Sequence, residues 1–231
     1  MNNITIINGN IFNTKAQTIV NTVNCVGVMG KGIALVFKLR YPIMYDVYKQ
    51  HCAAHLIDIG KLWLYKGVDN APWVLNFPTK THWKLPSEYN YIERGLQKFV
   101  STYREKGITS IAFPLLGANN GGLDKDTVLD LMVHYLQECD IPVEIYLYDP
   151  NASDDLFETF KSNWMKISYD QKKKMLKTNK RIETIDNAIA SENVHSMIAL
   201  IDYPGIGIKS MESCFDFVMS SREEPSLFEE N

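Results

Sequence analysis

Cysteine is scarce in this sequence and never closely paired. Cys25, Cys52, Cys139 and Cys214 are scattered, with no C-x-x-C among them. That argues against a disulfide framework and a cysteine-built zinc site, and it predicts reduced thiols in a cytoplasmic protein. His51 and His55 stand four apart, but no carboxylate completes an H-E-x-x-H set. No metal and no cofactor are therefore expected. Apolar runs stop far short of the roughly 20 residues of a membrane span, and no basic segment leads into an apolar one at the N-terminus, so no membrane role is expected. Excess charge is missing too. A net charge of −3 gives no bulk argument for nucleic acid.

What is present is a chain of ordinary globular composition, 45% apolar and 22% charged, enough for one buried core and an appendage. Its most informative stretch runs from Asn21 to Gly32. The apolar run Thr18-Ile19-Val20 leads into Asn-Thr-Val-Asn-Cys-Val-Gly-Val-Met-Gly-Lys-Gly, and Ile33-Ala34-Leu35-Val36-Phe37 follows. This is strand, small-residue loop, helix. Glycine lets backbone approach a ligand, and a helix start offers unpaired N–H groups to an anion. Asn21 and Asn24 add amides that both donate and accept. The loop is neither a Walker A nor a G-x-G-x-x-G sequence. It reads either as a phosphate- or sugar-binding loop or as a tight strand-to-helix turn.

Strands and helices alternate along the first two-thirds. Ile4-Thr5-Ile6 opens a strand. A helix is expected to about Arg40, stopped by Tyr41-Pro42, and another from Tyr45 to about Ala54. Residues 62–65 and 73–77 read as a strand pair across a turn at 67–70, after which 78–84 is a polar segment. Tyr89, Ile92, Leu96, Phe99 and Tyr103 mark one helical face, ended by Gly107. The apolar run Ile111–Leu116 predicts a strand buried on both faces, emptying into Gly117-Ala118-Asn119-Asn120-Gly121-Gly122. A helix with Val128, Leu131, Met132, Tyr135 and Leu136 follows, and Val143–Tyr148 alternates as a last strand. The pattern is α/β with a largely parallel sheet, whose ligands sit beyond the carboxyl ends of the strands.

After about residue 160 the character changes. Between Lys161 and Arg181 eight basic residues face the single acidic Asp170. This reads as a solvated helix face or as a nucleic-acid surface. Tyr203-Pro204-Gly205-Ile206-Gly207-Ile208-Lys209 resembles a helix-hairpin-helix. The resemblance implies DNA-phosphate contacts from Gly205, Gly207 and Lys209; a plain packing turn is the alternative. The last residues, with Glu223, Glu224, Glu229 and Glu230, are expected to form a disordered acidic tail. The expected division is 1–155, then a basic helical region 156–221, then the tail 222–231.

Five ordered blocks make residues 1–155 similar to a macrodomain. They are Asn8-Gly9-Asn10-Ile11, Val20-Asn21-Thr22-Val23-Asn24, Gly27 to Ala34, Asn76-Phe77-Pro78-Thr79-Lys80, and Pro114 to Gly117 with Gly121-Gly122-Leu123-Asp124. They resemble the DarG branch of DNA ADP-ribosyl glycohydrolase antitoxins, related to the terminal ADP-ribose protein glycohydrolases. The resemblance implies a three-layer α/β/α sandwich with a mixed, largely parallel sheet, binding ADP-ribose at the strand ends. Asn10 and Ile11 would meet the adenine, with Asn10 where many macrodomains have Asp. Met29, Gly30, Lys31, Gly32, Gly117, Asn119, Asn120, Gly121 and Gly122 would line the diphosphate, with Thr79 beside them. Asn24, and Asn21 with it, would reach the distal ribose.

Lys80 is the expected catalytic residue, with Asn24 and Asp124. A lysine acts as a nucleophile when burial or another cation lowers its pKa, and Lys31 is the candidate cation. Asp124 reads as general base or as a helix N-cap. The expected function is removal of ADP-ribose from DNA, with a DarT-like ADP-ribosyltransferase toxin as partner. The alternatives are the same reaction on protein glutamate, or a non-catalytic ADP-ribose reader.

Overall fold

The computed structural model describes residues 3–67, 72–177 and 180–223. The expected turn at 67–70 lies outside these from residue 68, and the expected acidic tail lies outside them from residue 224. The chain divides into two compact units at Asp149/Pro150.

In the first unit β1 (Ile4–Gly9) leads through a 3-10 turn (Ile11–Asn13) to β2 (Thr18–Asn24). Then come α1 (Gly32–Arg40), α2 (Pro42–Ala53), β3 (Trp63–Tyr65), β4 (Trp73–Lys80), α3 (Tyr89–Lys106), β5 (Ile111–Pro114), α4 (Lys125–Leu136) and β6 (Val143–Tyr148). The sheet order is β1-β6-β5-β2-β4-β3. All neighbours pair parallel except β3, which runs antiparallel to β4.

The period-two alternation of the strands divides the core. Val20, Leu75, Phe77, Ile111 and Phe113 face one way, onto Ile92, Leu96 and Phe99 of α3 and Val128, Met132 and Leu136 of α4. Ile19, Val23, Val74 and Ala112 face the other way, onto Phe37 of α1 and Met44, Tyr48 and Cys52 of α2. Helices thus cover both faces, and the α/β/α sandwich follows from side-chain alternation on buried strands.

The fourth strand is longer than its apolar run. It continues through Pro78 to Lys80, where the sequence suggested a polar segment. A proline removes one ladder donor and is tolerated where no neighbour needs it. The β3 register with β4 covers only Val74 to Asn76, so Pro78 lies beyond it and has only Val23 of β2 opposite. Lys80 is therefore the last residue of β4.

The second unit holds α5 (Phe157–Lys166), α6 (Tyr169–Leu176), α7 (Lys180–Ala190), α8 (Met197–Asp202) and α9 (Ile208–Glu223). Its core includes Phe160, Trp164, Ile185, Leu200, Phe215 and Val218. Asp154 is buried, and its carboxylate accepts from the N–H groups of Leu156 (3.0 Å), Phe157 (2.8 Å) and Met197 (2.6 Å). One side chain thereby ties the starts of α5 and α8. Asp186 accepts from Trp164 Nε1 (2.7 Å) and Lys172 Nζ (3.0 Å), joining α5, α6 and α7. Among the described residues no helix is long and apolar enough to cross a membrane.

Gly95 sits where α3 crosses the ring of Phe77. A Cβ there would stand 2.1 Å from Phe77 Cζ. Gly95→Ala gains helix propensity of ~1 kcal/mol. The overpacking should outweigh it and destabilise by about 1–3 kcal/mol net. Urea unfolding reads the difference, and a variant as stable as the parent refutes the crowding argument.

Candidate active site

Because β1, β6, β5, β2 and β4 run parallel, their carboxyl ends share one edge of the sheet. Asn10 after β1, Asn24 at the end of β2, Lys80 at the end of β4 and Gly117 after β5 all emerge there. Asn10 and Ile11 stand farthest from Lys80 in the strand order, with β6, β5 and β2 between their strand and β4.

Asn24 holds its own loop together. Its side chain donates to Val28 O (2.5 Å) and accepts from the N–H groups of Val26 (3.0 Å) and Val28 (3.3 Å). Tyr48 of α2 donates to Asn24 O at 2.6 Å. Burial pushes the Tyr48 hydroxyl pKa well up, so it stays a donor. Asn21 is fully buried and donates to Asn76 Oδ1 across β2 and β4 (3.0 Å). Met29 is also buried and belongs to the core beside α1 and α2. Of the residues expected at the ligand in this loop, Gly30 and Lys31 are exposed and Gly32 is half-exposed, while Asn21, Asn24 and Met29 shape the loop from beneath.

The loop after β5 folds back on itself. Leu123 N donates to Gly117 O (3.1 Å), Gly122 N to Ala118 O (3.2 Å), and Ser87 N to Gly121 O (2.9 Å). A Cβ on Gly121 would lie 2.0 Å from Gly117 O, so only glycine allows this close approach of backbone to backbone. Asn119 and Asn120 form the exposed crest.

At that crest three segments meet. Lys80 Nζ donates a hydrogen bond to the main-chain oxygen of Asn120. The space where Gly32 would carry a Cβ is filled by Asn120 Nδ2, 2.6 Å away. Cys25 Sγ donates to Lys80 O at 3.3 Å. The structure so brings Lys80, Gly32, Asn120 and the Asn24–Val28 turn together. Lys80 is half-buried, and burial moves its pKa below the ordinary lysine value. Desolvation, one of the two routes expected from the sequence, is the cause. Burial also raises the Cys25 thiol to about 11, with Asp58 adding to the effect, so Cys25 remains protonated.

Asp124 caps α4. Its Oδ1 accepts from Thr127 N (2.9 Å) and Thr127 Oγ1 (2.7 Å), and these bonds lower its pKa. The side chain is exposed, and its main-chain N–H donates to the Tyr89 hydroxyl at 3.3 Å. The geometry thus shows the helix-cap role of Asp124. Thr79 is buried, as is Ile11; Asn10 is buried with its Oδ1 accepting from Phe12 N at 3.1 Å. Tyr48, Ser87 and Asn76 shape the site without a functional sequence signal. Tyr48 falls on the apolar face of α2 with Met44 and Cys52, which reads as core; only the fold reveals what its hydroxyl binds.

In the second unit, Gly205 has φ +88° and is exposed with Gly207 between α8 and α9, and Lys209 is exposed in the first turn of α9. Of the basic run, Lys173, Lys174 and Lys177 are exposed, whereas Lys172 is committed to Asp186 and lies 4.8 Å from the Trp164 ring centroid. Among the described residues no cluster of His, Cys, Asp and Glu could hold a metal.

The Macro domain family model matches residues 20–132. The solved macrodomain of Mycobacterium tuberculosis DarG is 44% identical, with a TM-score of 0.59, over 62% of this chain and 96% of that one. This chain belongs to the macrodomain family. A further relative, named DNA ADP-ribosyl glycohydrolase, from M. tuberculosis strain H37Rv, is 41% identical over 158 residues, 67% of this chain and 44% of the relative. The Thermosipho africanus relative is named a DNA ADP-ribosyl transferase–DNA ADP-ribosyl glycohydrolase fusion protein. It is 39% identical over 63% of this chain and 42% of its own length. The structure described as DarTG from that organism in complex with ADP-ribose matches with a TM-score of 0.62. The chain therefore spans less than half the length of these two curated relatives.

The capping role of Asp124 in this macrodomain carries a pH signature. A carboxylate whose folded pKa is depressed stabilises the fold above its unfolded value near 4 and loses that contribution as pH falls through the folded value. Asparagine caps as well as aspartate but does not titrate. Asp124→Asn should match the parent in urea unfolding at neutral pH and lack this part of the loss in acid, whereas Asp124→Ala should be weaker at neutral pH. Equal stability of Asp124→Ala and the parent counts against the cap.

Proposed function

We propose that this macrodomain is an ADP-ribosyl glycohydrolase that releases ADP-ribose from modified DNA. The observation that carries the reading is Lys80, half-buried at a strand end and held to Asn120 O where two glycine-rich loops meet. Those loops suit a diphosphate: Met29 to Gly32 on one side, Gly117 and Asn119 to Gly122 on the other, with Gly122 contributing shape because its N–H is already donated to Ala118 O. Asn24 fixes the wall beside the distal ribose, and Asn10 and Ile11 the adenine end.

In this reading the amine of Lys80 bonds to the anomeric carbon while the glycosidic electron pair leaves with the base, which takes up a proton. Water then displaces the amine, returning free lysine and ADP-ribose. Burial favours the neutral amine this step requires. Asp124, tied to Thr127 and depressed in pKa, serves the fold in this scheme, which weakens the protein-glutamate alternative that leaned on it.

The names of the relatives support DNA as the carrier, and the transferase fusion supports a DarT-like toxin as the enzyme whose product this chain reverses. The free thiols support a reducing, cytoplasmic site of action. The exposed Lys173, Lys174 and Lys177, with Gly205, Gly207 and Lys209, are the proposed phosphate contacts of the second unit.

Lys80→Ala should abolish ADP-ribose release from a modified single-stranded oligonucleotide and leave calorimetric ADP-ribose binding in place. Lys80→Arg should be equally inactive, because guanidinium does not deprotonate. Arginine activity would reassign Lys80 to electrostatic support, and full activity of the alanine variant would exclude it. Replacing Lys173, Lys174 and Lys177 with alanine should weaken DNA binding and flatten its salt dependence by about one slope unit for each phosphate no longer neutralised. An unchanged slope removes the second unit from DNA recognition.

A further inference from the structure

Three residues after Lys80 the chain exposes an aromatic side chain that the site described so far does not use. The strand end turns sharply: Leu85 N donates to His82 O (3.1 Å) and Lys84 N to His82 Nδ1 (3.2 Å). At the tip, Trp83 keeps 50% of its surface in solvent, and Leu85 keeps 51%. Single exposed apolar residues are ordinary. Here, however, the rings of His82 and Trp83 stack with centroids 5.7 Å apart at 27°, and the Lys84 ammonium lies 5.0 Å from the Trp83 ring centroid. A pinned turn thus presents an indole, an imidazole and a cation together. The next carboxylate along the chain, Glu88, is engaged by the Tyr91 hydroxyl at 2.7 Å.

We propose that the His82-Trp83-Lys84 turn is a stacking platform for a nucleobase of single-stranded DNA next to the ADP-ribosylated nucleotide. This rests on DNA as the substrate and names its form. An aromatic face takes any base because every base has a π-face, and an adjoining ammonium takes the phosphate. A duplex keeps its bases stacked on one another, so the platform selects an unpaired strand. Three residues of chain span at most ~11 Å, which keeps the platform within reach of a nucleotide adjoining the one at Lys80. The device is local, so it does not depend on the net charge of the chain.

The test uses the full chain and an unmodified single-stranded oligothymidylate, followed by fluorescence anisotropy, so that it does not depend on glycosidic cleavage. Trp83→Ala should weaken binding roughly 5- to 100-fold. Trp83→Phe should keep most of the affinity, and a duplex of equal length should not distinguish the variants. Lys84→Ala should reduce the salt slope by about one. Equal affinity of Trp83→Ala and the parent, equal losses in the alanine and phenylalanine variants, or no binding by the parent would each overturn the platform. Loss of hydrolysis on modified DNA with this pattern intact would refute the glycohydrolase reading alone.

Discussion

The hydrogen bond from Lys80 to the main-chain oxygen of Asn120 is the interaction on which the site depends. It joins the end of β4 to the crest of the loop after β5, although β2 lies between these strands in the sheet. A backbone oxygen is an acceptor that no side-chain substitution removes, and it fixes the amine without neutralising it, as a carboxylate would. The loop offering that oxygen holds its shape because Gly121 passes against Gly117 O and Gly32 leaves room for the Asn120 amide. Glycine is required in this cleft first for packing of loop on loop, and only then for approach of a ligand.

Beneath the loops lies a buried polar layer. Asn21 and Asn76 face each other across parallel strands, and Asn24 clamps its loop under the Tyr48 hydroxyl. Burying polar groups is costly unless they are paired, and paired ones make one arrangement strongly preferred. The layer trades apolar burial for a rigid strand end. That would suit the proposed diphosphate contacts from backbone N–H groups, since these are only as well placed as the loop that carries them.

The alternation of elements, both glycine loops and the emergence of Lys80 from a strand were legible in the sequence because each is a local pattern. The strand order was not, since it depends on pairings between distant segments. Nor was the length of β4: Pro78 breaks the apolar run, and only the short reach of β3 explains why a strand tolerates it there. Burial divided the expected ligand residues. Gly30, Lys31, Asn119 and Asn120 stayed exposed, while Asn21, Met29 and Thr79 went inside. Sequence type identifies an amide or a thioether but does not say which side of a loop it faces. The capping role of Asp124 likewise depends on Thr127 meeting its oxygen, which residue type alone does not tell.

The electrostatics of the cleft set a condition on the chemistry. Burial lowers the pKa of Lys80, but a bound diphosphate favours the ammonium form and so acts against it. The two influences differ in range. Desolvation grows as the ligand excludes water from the amine, whereas the attraction of the diphosphate falls with distance and is weakened wherever backbone N–H groups already neutralise it. In the proposed reading a cradle of neutral donors would hold the anion while limiting its hold on the amine's proton. Desolvation of Lys80 is thus what would let a lysine in this position work as an amine in the proposed reaction.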